Sequence, residues 1–227
     1  MRFPVTGGAG SNLTVVFARE SKRPPGEGRR ICDMSSTPAR GRAIFQKHKR
    51  QIMFLVKIIG LFSVRTRKKW LVQYRKTSGK KGLLIRYILI KTLAKSCGDN
   101  VSIFEDVFLF SPENIEIGDN VSIQPMCYLE GQGGISIGDD VSIAHGTSIL
   151  STTHNTDDFS IPMKDQGVSG KKVIIDNNVW IGCKVTVLCG IEIGSGSVVG
   201  ANSVVTKNIE SNSVYAGTPA KKIRSRV

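Results

Sequence analysis

The chain has 227 residues, 40% of them hydrophobic but only 7% aromatic, and 24 glycines, which leaves room for one domain with an appendage and suits short, tightly turning strands better than an aromatic-rich core. The net charge of +14 suggests nucleic acid until the chain is divided: residues 1–96 carry 23 Lys and Arg against 3 Asp and Glu, and residues 97–227 carry 9 against 15. A mildly acidic domain thus follows a strongly basic segment, and no base-stacking aromatic platform accompanies the charge, which argues against a nucleic-acid partner.

Residues 1–51 contain Gly7-Gly8-Ala9-Gly10-Ser11 and Pro24-Pro25-Gly26 with scattered Arg and no periodicity. They read as a disordered extension or one foreign to the natural protein, with Met53 the preferred start over Met34. Residues 52–96 read as a basic amphipathic helical segment, because Leu83, Leu84, Tyr87, Ile88 and Leu93 recur at helical spacing with Lys80, Lys81, Arg86, Lys91 and Lys95 between them. Such a segment is expected to cap the domain that follows, its charges solvated. Peripheral contact with an anionic membrane is the competing expectation. The apolar run from Ile52 to Val64 is broken by Lys57, is too short to span a bilayer and has no cleavage site after it. Cys32, Cys97, Cys127, Cys183 and Cys189 form no CxxC or metal spacing, and an odd count without a signal peptide points to reduced thiols in the cytoplasm, with the inner membrane face as a point of contact. Three of the five fall at or near inward-facing positions, where Cys serves as a small hydrophobe.

From residue 97 the sequence repeats. Aliphatic residues recur every six positions: Ile117, Ile123, Leu129; Ile137, Ile143, Ile149; Ile175, Ile181, Val187; Ile193, Val199, Val205, after Ile103 and Leu109. One short strand and one turn consume about six residues, so the same position faces inward on each side of a triangular coil of about eighteen. Triplet counting gives five coils and a fragment of a sixth. Two steps of eight residues, 109 to 117 and 129 to 137, fit bulged corners. The register breaks between Ile149 and Ile175, where residues 153–172 must leave the coil as a loop, and loops projected from rigid scaffolds tend to carry function.

The run Leu-Ser-Thr-Thr-His-Asn at 150–155, the long stretch 177–209 containing Val-Trp-Ile-Gly, and Ala-Gly-Thr-Pro-Ala-Lys-Lys-Ile at 216–223 carry a resemblance to the hexapeptide-repeat acetyltransferases. The branch is that of the galactoside, maltose and capsular-polysaccharide O-acetyltransferases, and the resemblance covers about Cys97 to Ile223. It implies an all-β, left-handed parallel β-helix with an N-terminal helical segment, domain limits of 97–227, and a homotrimer with active sites between subunits. It also implies acetyl-CoA as co-substrate with no metal, and direct acetyl transfer to a hydroxyl of a sugar or polysaccharide precursor.

His154 stands where the repeat breaks, at the position the resemblance assigns to the general base. An imidazole that titrates near neutrality can take a hydroxyl proton and return it to the leaving thiolate. His145, two residues after inward-facing Ile143, is not a position the family uses. Gln124 and Asp157 are the expected acceptor contacts, Gln124 replacing a common Asn; Asp158 is a weaker candidate. On the cofactor side the resemblance assigns Trp180, Cys183, Ala201, Thr206 and Lys207 to the acetyl-CoA groove. Ala201 permits close approach to the backbone, whereas Cys183 replaces a smaller or hydroxylic residue and weakens any side-chain hydrogen bond there. Lys221 and Arg224 match the cations expected to meet the nucleotide phosphates.

Other readings share the scaffold. An N-acetyltransferase of an amino sugar and an O-acetyltransferase acting on an antibiotic or serine differ only in acceptor. A γ-carbonic anhydrase-like enzyme needs three His zinc ligands, against His145 and His154 in the repeats. A non-enzymatic assembly scaffold would leave the His loop and the CoA-side motifs without a purpose.

Overall fold

The computed structural model describes residues 37–226, with side chains from residue 41 onward; the expectation of disorder for 1–36, and Cys32, lie outside the described residues. The period of six builds what it implies, a left-handed parallel β-helix. The first face stacks Ser96–Cys97, Ile115–Ile117, Ile135–Ile137, Val173–Ile175 and Glu192–Ile193. The second stacks Ser102–Ile103, Ser122–Ile123, Ser142–Ile143, Trp180–Ile181 and Val198–Val199, then Ser213–Ala216 and the antiparallel Lys221–Ser225. The third stacks Phe108–Phe110, Tyr128–Glu130, Ser148–Leu150, Thr186–Val187 and Val204–Val205. Cross-strand register puts Ile117, Ile137, Ile175 and Ile193 in one inward column, Ile123, Ile143, Ile181 and Val199 in a second, and Leu129, Ile149, Val187 and Val205 in a third. These residues are almost wholly buried, and each rung hydrogen-bonds to the next, as Gly118 N does to Ile137 O at 2.8 Å.

The corners follow a rule within the same six residues. Three positions after each inward residue of the first two columns the backbone turns left-handed, as at Asn120 (φ 58), Met126 (φ 61), Asp140 (φ 57), Asn178 (φ 57), Lys184 (φ 54) and Asn202 (φ 56). Asn and Asp adopt this region at little cost. Met126 and Lys184 are held there by the ladder on either side, since Met126 N bonds Glu105 O and Lys184 N bonds His145 O. The next residue turns back inward, giving a second set of buried columns with Val121, Cys127, Val141, Thr147, Val179, Val185, Ser197 and Ser203. The buried hydroxyls are satisfied: Thr147 Oγ1 donates to Gly182 O at 3.0 Å and Ser203 Oγ to Gly200 O at 2.7 Å. Of the thiols, Cys127 is fully buried and raised to about 11 by burial; Cys97, Cys183 and Cys189 are half-buried.

The basic segment is three helices, α1 (Thr37–Gly60), α2 (Val64–Gln73) and α3 (Gly79–Leu93). Helix begins at Thr37, fifteen residues before the boundary at 52, so residues 37–51, expected to be disordered, are ordered. Phe45, Lys49, Ile52, Val56 and Ile59 recur at steps of four and three on the inner side of α1, a pattern hidden in the sequence because only four of the five are apolar. Phe45 meets Tyr87 edge-on at 5.4 Å, and Ile52 is buried.

Helix α3 covers the open end of the β-helix. Its Tyr87, Ile88 and Ile90 join the cluster that contains Val101 and Ile103 of the first coil. Arg86, expected as a solvated charge, is instead 1% exposed. Its Nε donates to Ile103 O at 2.8 Å, and its Nη1 to Tyr74 O at 3.0 Å, Arg75 O at 3.2 Å and Thr77 O at 2.6 Å. One guanidinium therefore ties the α2–α3 turn to the first coil, and burial lowers its pKa. Among the described residues no helix is long and apolar enough to cross a membrane.

Candidate active site

The excursion predicted at 153–172 is a β-hairpin arm. Thr152–His154 pairs antiparallel with Val168–Gly170, His154 opposite Val168. Its base is fixed by Glu130, on the third face one coil below. The Glu130 carboxylate accepts from Gln132 N at 2.7 Å, Ser151 N at 3.2 Å and Thr152 Oγ1 at 2.9 Å, while buried Ser151 donates through Oγ to Glu130 O at 2.5 Å. Farther out, Asn155 N bonds Gly167 O at 3.1 Å, Asn155 Nδ2 bonds Gln166 O at 3.0 Å and Ser169 Oγ donates to Asn155 Oδ1 at 2.5 Å. Gln166 Nε2 closes the tip by donating to Asp158 O at 2.7 Å.

His154 is exposed at the end of the outgoing strand, between two braced points. No hydrogen bond joins it to Asp157 or Asp158 among the described residues. Asp158 is engaged locally: its carboxylate accepts from Ser160 Oγ and N, which holds it below the usual Asp range. Asp157 is exposed on the arm. Glu130, Asn155, Gln166 and Ser169 went unnoticed in the sequence, because their roles exist only once the arm closes on itself.

The remaining candidates divide between two edges of the third face. Thr206 and Lys207 leave that face at the same corner as the arm, two coils farther on, and both are exposed. The others lie on the second face or at the corner that leads from it to the third. Trp180 points outward, 56% exposed. Its register neighbours are Val198, then Val214, then Arg224, so Trp180 and Arg224 lie about 14 Å apart along one row at the usual strand spacing. Lys221 pairs with Ala216 on the same added strand. Cys183 and Ala201 stack at the corner, joined by Asn202 N to Cys183 O at 2.9 Å, and a Cβ on neighbouring Gly182 would lie 2.6 Å from Ala201 N. His145 occupies the same corner one coil below, its carbonyl accepting from Lys184 N at 2.9 Å. Gln124 sits lower still at that edge, with Nε2 donating to Ser122 Oγ at 2.9 Å.

One chain thus gathers Trp180, Cys183, Ala201, Lys221 and Arg224 on one side, and His154, Asp157, Thr206 and Lys207 on the other. It does not bring His154 against Gln124 or Cys183. His145 and His154 likewise stand at different corners. The first side is a track of small side chains, half-buried Cys183 and exposed Ala201, with exposed Trp180 as an aromatic wall and two exposed cations at its end. The second presents a lone imidazole on a braced strand. A track of this kind can hold an elongated, phosphate-bearing thioester, and the imidazole can exchange a proton with a hydroxyl beside it.

Residues 172–207 match the family described as bacterial transferase hexapeptide (six repeats). A protein named probable acetyltransferase from Mycobacterium tuberculosis is 37% identical over 73 residues, 32% of this chain and 24% of that one; the chain thus spans about a quarter of that relative's length. A hexapeptide-repeat acetyltransferase of Vibrio cholerae, solved with acetyl coenzyme A, is 28% identical with a TM-score of 0.65, covering 72% of this chain and 87% of that one. A galactoside acetyltransferase solved with coenzyme A is 27% identical with a TM-score of 0.65, covering 86% and 85%. The repeat and its projecting arm form a β-helix of the kind seen in these solved acetyltransferases. The chain is similar to hexapeptide-repeat acetyltransferases, through residues 172–207 in the repeat model and through most of its length in the solved structures.

Proposed function

We propose that the protein transfers an acetyl group from acetyl-CoA to a hydroxyl of a sugar or polysaccharide precursor, with His154 as general base. The observation that carries this reading is the placement of His154, exposed and braced at the point where the repeat breaks, in a chain similar over most of its length to a galactoside acetyltransferase solved with coenzyme A. In the reaction His154 takes the acceptor proton as the hydroxyl oxygen attacks the thioester carbonyl. The tetrahedral intermediate then collapses with loss of the CoA thiolate, which receives the proton from the imidazolium. Trp180, Cys183 and Ala201 would flank the pantetheine arm, with Thr206 and Lys207 bordering it from another subunit. Lys221 and Arg224 would meet the phosphates, and Gln124 and Asp157 the acceptor.

The separation of these residues on two edges of one face supports a homotrimer in which one protomer's arm reaches the partner's track. Cytoplasmic acetyl-CoA fits a cytoplasmic enzyme.

The test is acetyl-CoA-dependent thiol release over a panel of sugars, amino sugars, a macrolide and serine, with wild type beside His154→Ala and His145→Ala. His154→Ala is expected to lower kcat about 10²- to 10⁴-fold, while His145→Ala stays near wild type. The reverse pattern would move the base to the corner occupied by His145. Release only with amino acceptors would replace O- by N-acetylation. Absence of any thermal stabilisation by millimolar acetyl-CoA would overturn the enzyme reading.

A further inference from the structure

The elbow between α1 and α2 exposes apolar side chains that the fold does not use. Phe54 and Ile58 lie on the side of α1 opposite Ile52 and Val56, Leu61 follows in the turn just after the helix, and the three are 64%, 38% and 86% exposed. Phe62, whose ring meets Trp70 at 4.9 Å, and Val64 extend the patch into α2. Lys57, Arg65 and Lys69 lie among them, all exposed. From Thr37 to Ser96 the chain holds 17 Lys and Arg and no Asp or Glu. The β-helix engages part of this charge: Arg42, Lys49, Lys68, Arg75, Lys91 and Lys95 pair with Asp140, Asp99, Glu113, Asp106, Asp99 and Glu116 respectively. Among the described residues, Lys57, Arg65 and Lys69 make no ion pair.

We propose that this elbow docks the protein on an anionic phospholipid surface. Lipid phosphates would neutralise Lys57, Arg65 and Lys69, while Phe54, Leu61 and Phe62 enter the boundary between headgroups and acyl chains. Charge complementarity selects this occupant. A second copy presenting the same elbow would set cation against cation. A nucleic acid would meet the cations but leave Leu61 and Phe54 in water. An anionic bilayer supplies both chemistries at one surface. The inference does not depend on the transferase reading, because it concerns the opposite end of the chain from the arm and the track.

The experiment is co-sedimentation of the full chain with vesicles of phosphatidylcholine alone and of phosphatidylcholine mixed with phosphatidylglycerol. Binding is expected only to the anionic vesicles, and raising the salt toward 1 M, where charge is screened within about 3 Å, releases it. The charge variant K57E/R65E and the apolar variant F54S/L61S should each weaken binding about tenfold or more. Both should retain the wild-type far-UV spectrum and thermal midpoint, since neither touches a buried residue. Failure to bind anionic vesicles, or equal binding by either variant, overturns the proposal. So does preference for an oligonucleotide at the same ionic strength, or an oligomer broken by F54S/L61S whose vesicle binding is unchanged.

Discussion

Arg86 shows how much one side chain can hold. It is buried and its guanidinium serves four backbone carbonyls across two elements, and removing it strands acceptors that water cannot reach. Arg86→Ala is expected to cost about 1–3 kcal/mol in urea unfolding for each carbonyl left buried without a donor, with Arg86→Lys only partly restoring it, because an ammonium cannot reproduce the planar fork. Glu130 acts through the chain it fixes. Its bonds to Ser151 N and Thr152 Oγ1 set the strand that ends in His154, so Glu130→Gln, which keeps the volume but turns an acceptor into a donor, should lower kcat about tenfold with little change in KM for acetyl-CoA. An equal rise in that KM would mean the arm had collapsed instead. Cys183 tests the cofactor track without any turnover. It shares a corner with Ala201, whereas Cys189 turns at the opposite edge of the third face, and both are half-buried. Saturating coenzyme A should slow alkylation of Cys183 about tenfold, read by peptide mass mapping; unchanged alkylation would remove the track from the second face.

At the level of elements, the coil depends on backbone more than on side chains at its corners. A Cβ at Gly118 would lie 2.7 Å from Gly138 C in the next rung, so Gly118→Val should cost about 1–3 kcal/mol by forcing the rungs apart. Asn120, at φ 58, should tolerate Gly and lose about 1 kcal/mol to Ala, both read by thermal unfolding. These corners also mark what could be read from the sequence. The inward columns were legible to the residue, because burial on a fixed period leaves the same residue class at each step. The left-handed positions were legible only where Asn or Gly holds the corner, because Asp, Met and Lys serve there as well and the common property is a dihedral angle. Helix α1 was legible only from Ile52 onward, since Lys49 takes a place in its inner stripe through an ion pair instead of apolar contact. His154 was legible as the residue at the break in register. The bracing of its arm by Asn155, Gln166 and Ser169 was not, because contacts across a hairpin have no period.

Over the whole molecule the charge is divided to a purpose: an acid-free helical cap sits on an acidic coil, held partly by ion pairs. Lys49 holds Asp99, and Lys68 holds Glu113, below their ordinary ranges, and Lys172 with Lys95 lowers Glu116 from 4.5 to about 2. A carboxylate depressed in the folded state contributes stability that is present above its unfolded pKa and lost as the pH falls through its folded one. The fastening through Asp99 and Glu113 should therefore weaken as the pH falls below their ordinary range, while Glu116, held chiefly by Lys172 of the coil, stays charged down to about pH 2. The cations of the cap keep their charge over that range and repel one another once their partners are neutral. The coils contain such pairs too, Lys172 with Glu116 and Lys222 with Glu210, but depend on them less because backbone ladders and aliphatic columns hold them. The two tryptophans separate the parts: Trp70 lies in α2 against Phe62, and Trp180 on the second face of the β-helix. During acid titration at low salt, the Trp180→Phe variant, which reports the cap, should show its fluorescence transition at higher pH than Trp70→Phe, which reports the coil. Coincident transitions would mean that cap and coil unfold as one unit and that the ion pairs between them contribute little, the usual outcome for isolated exposed pairs. A cap transition that leads and moves to higher pH in Lys49→Gln would assign the fastening to the Asp99 pair.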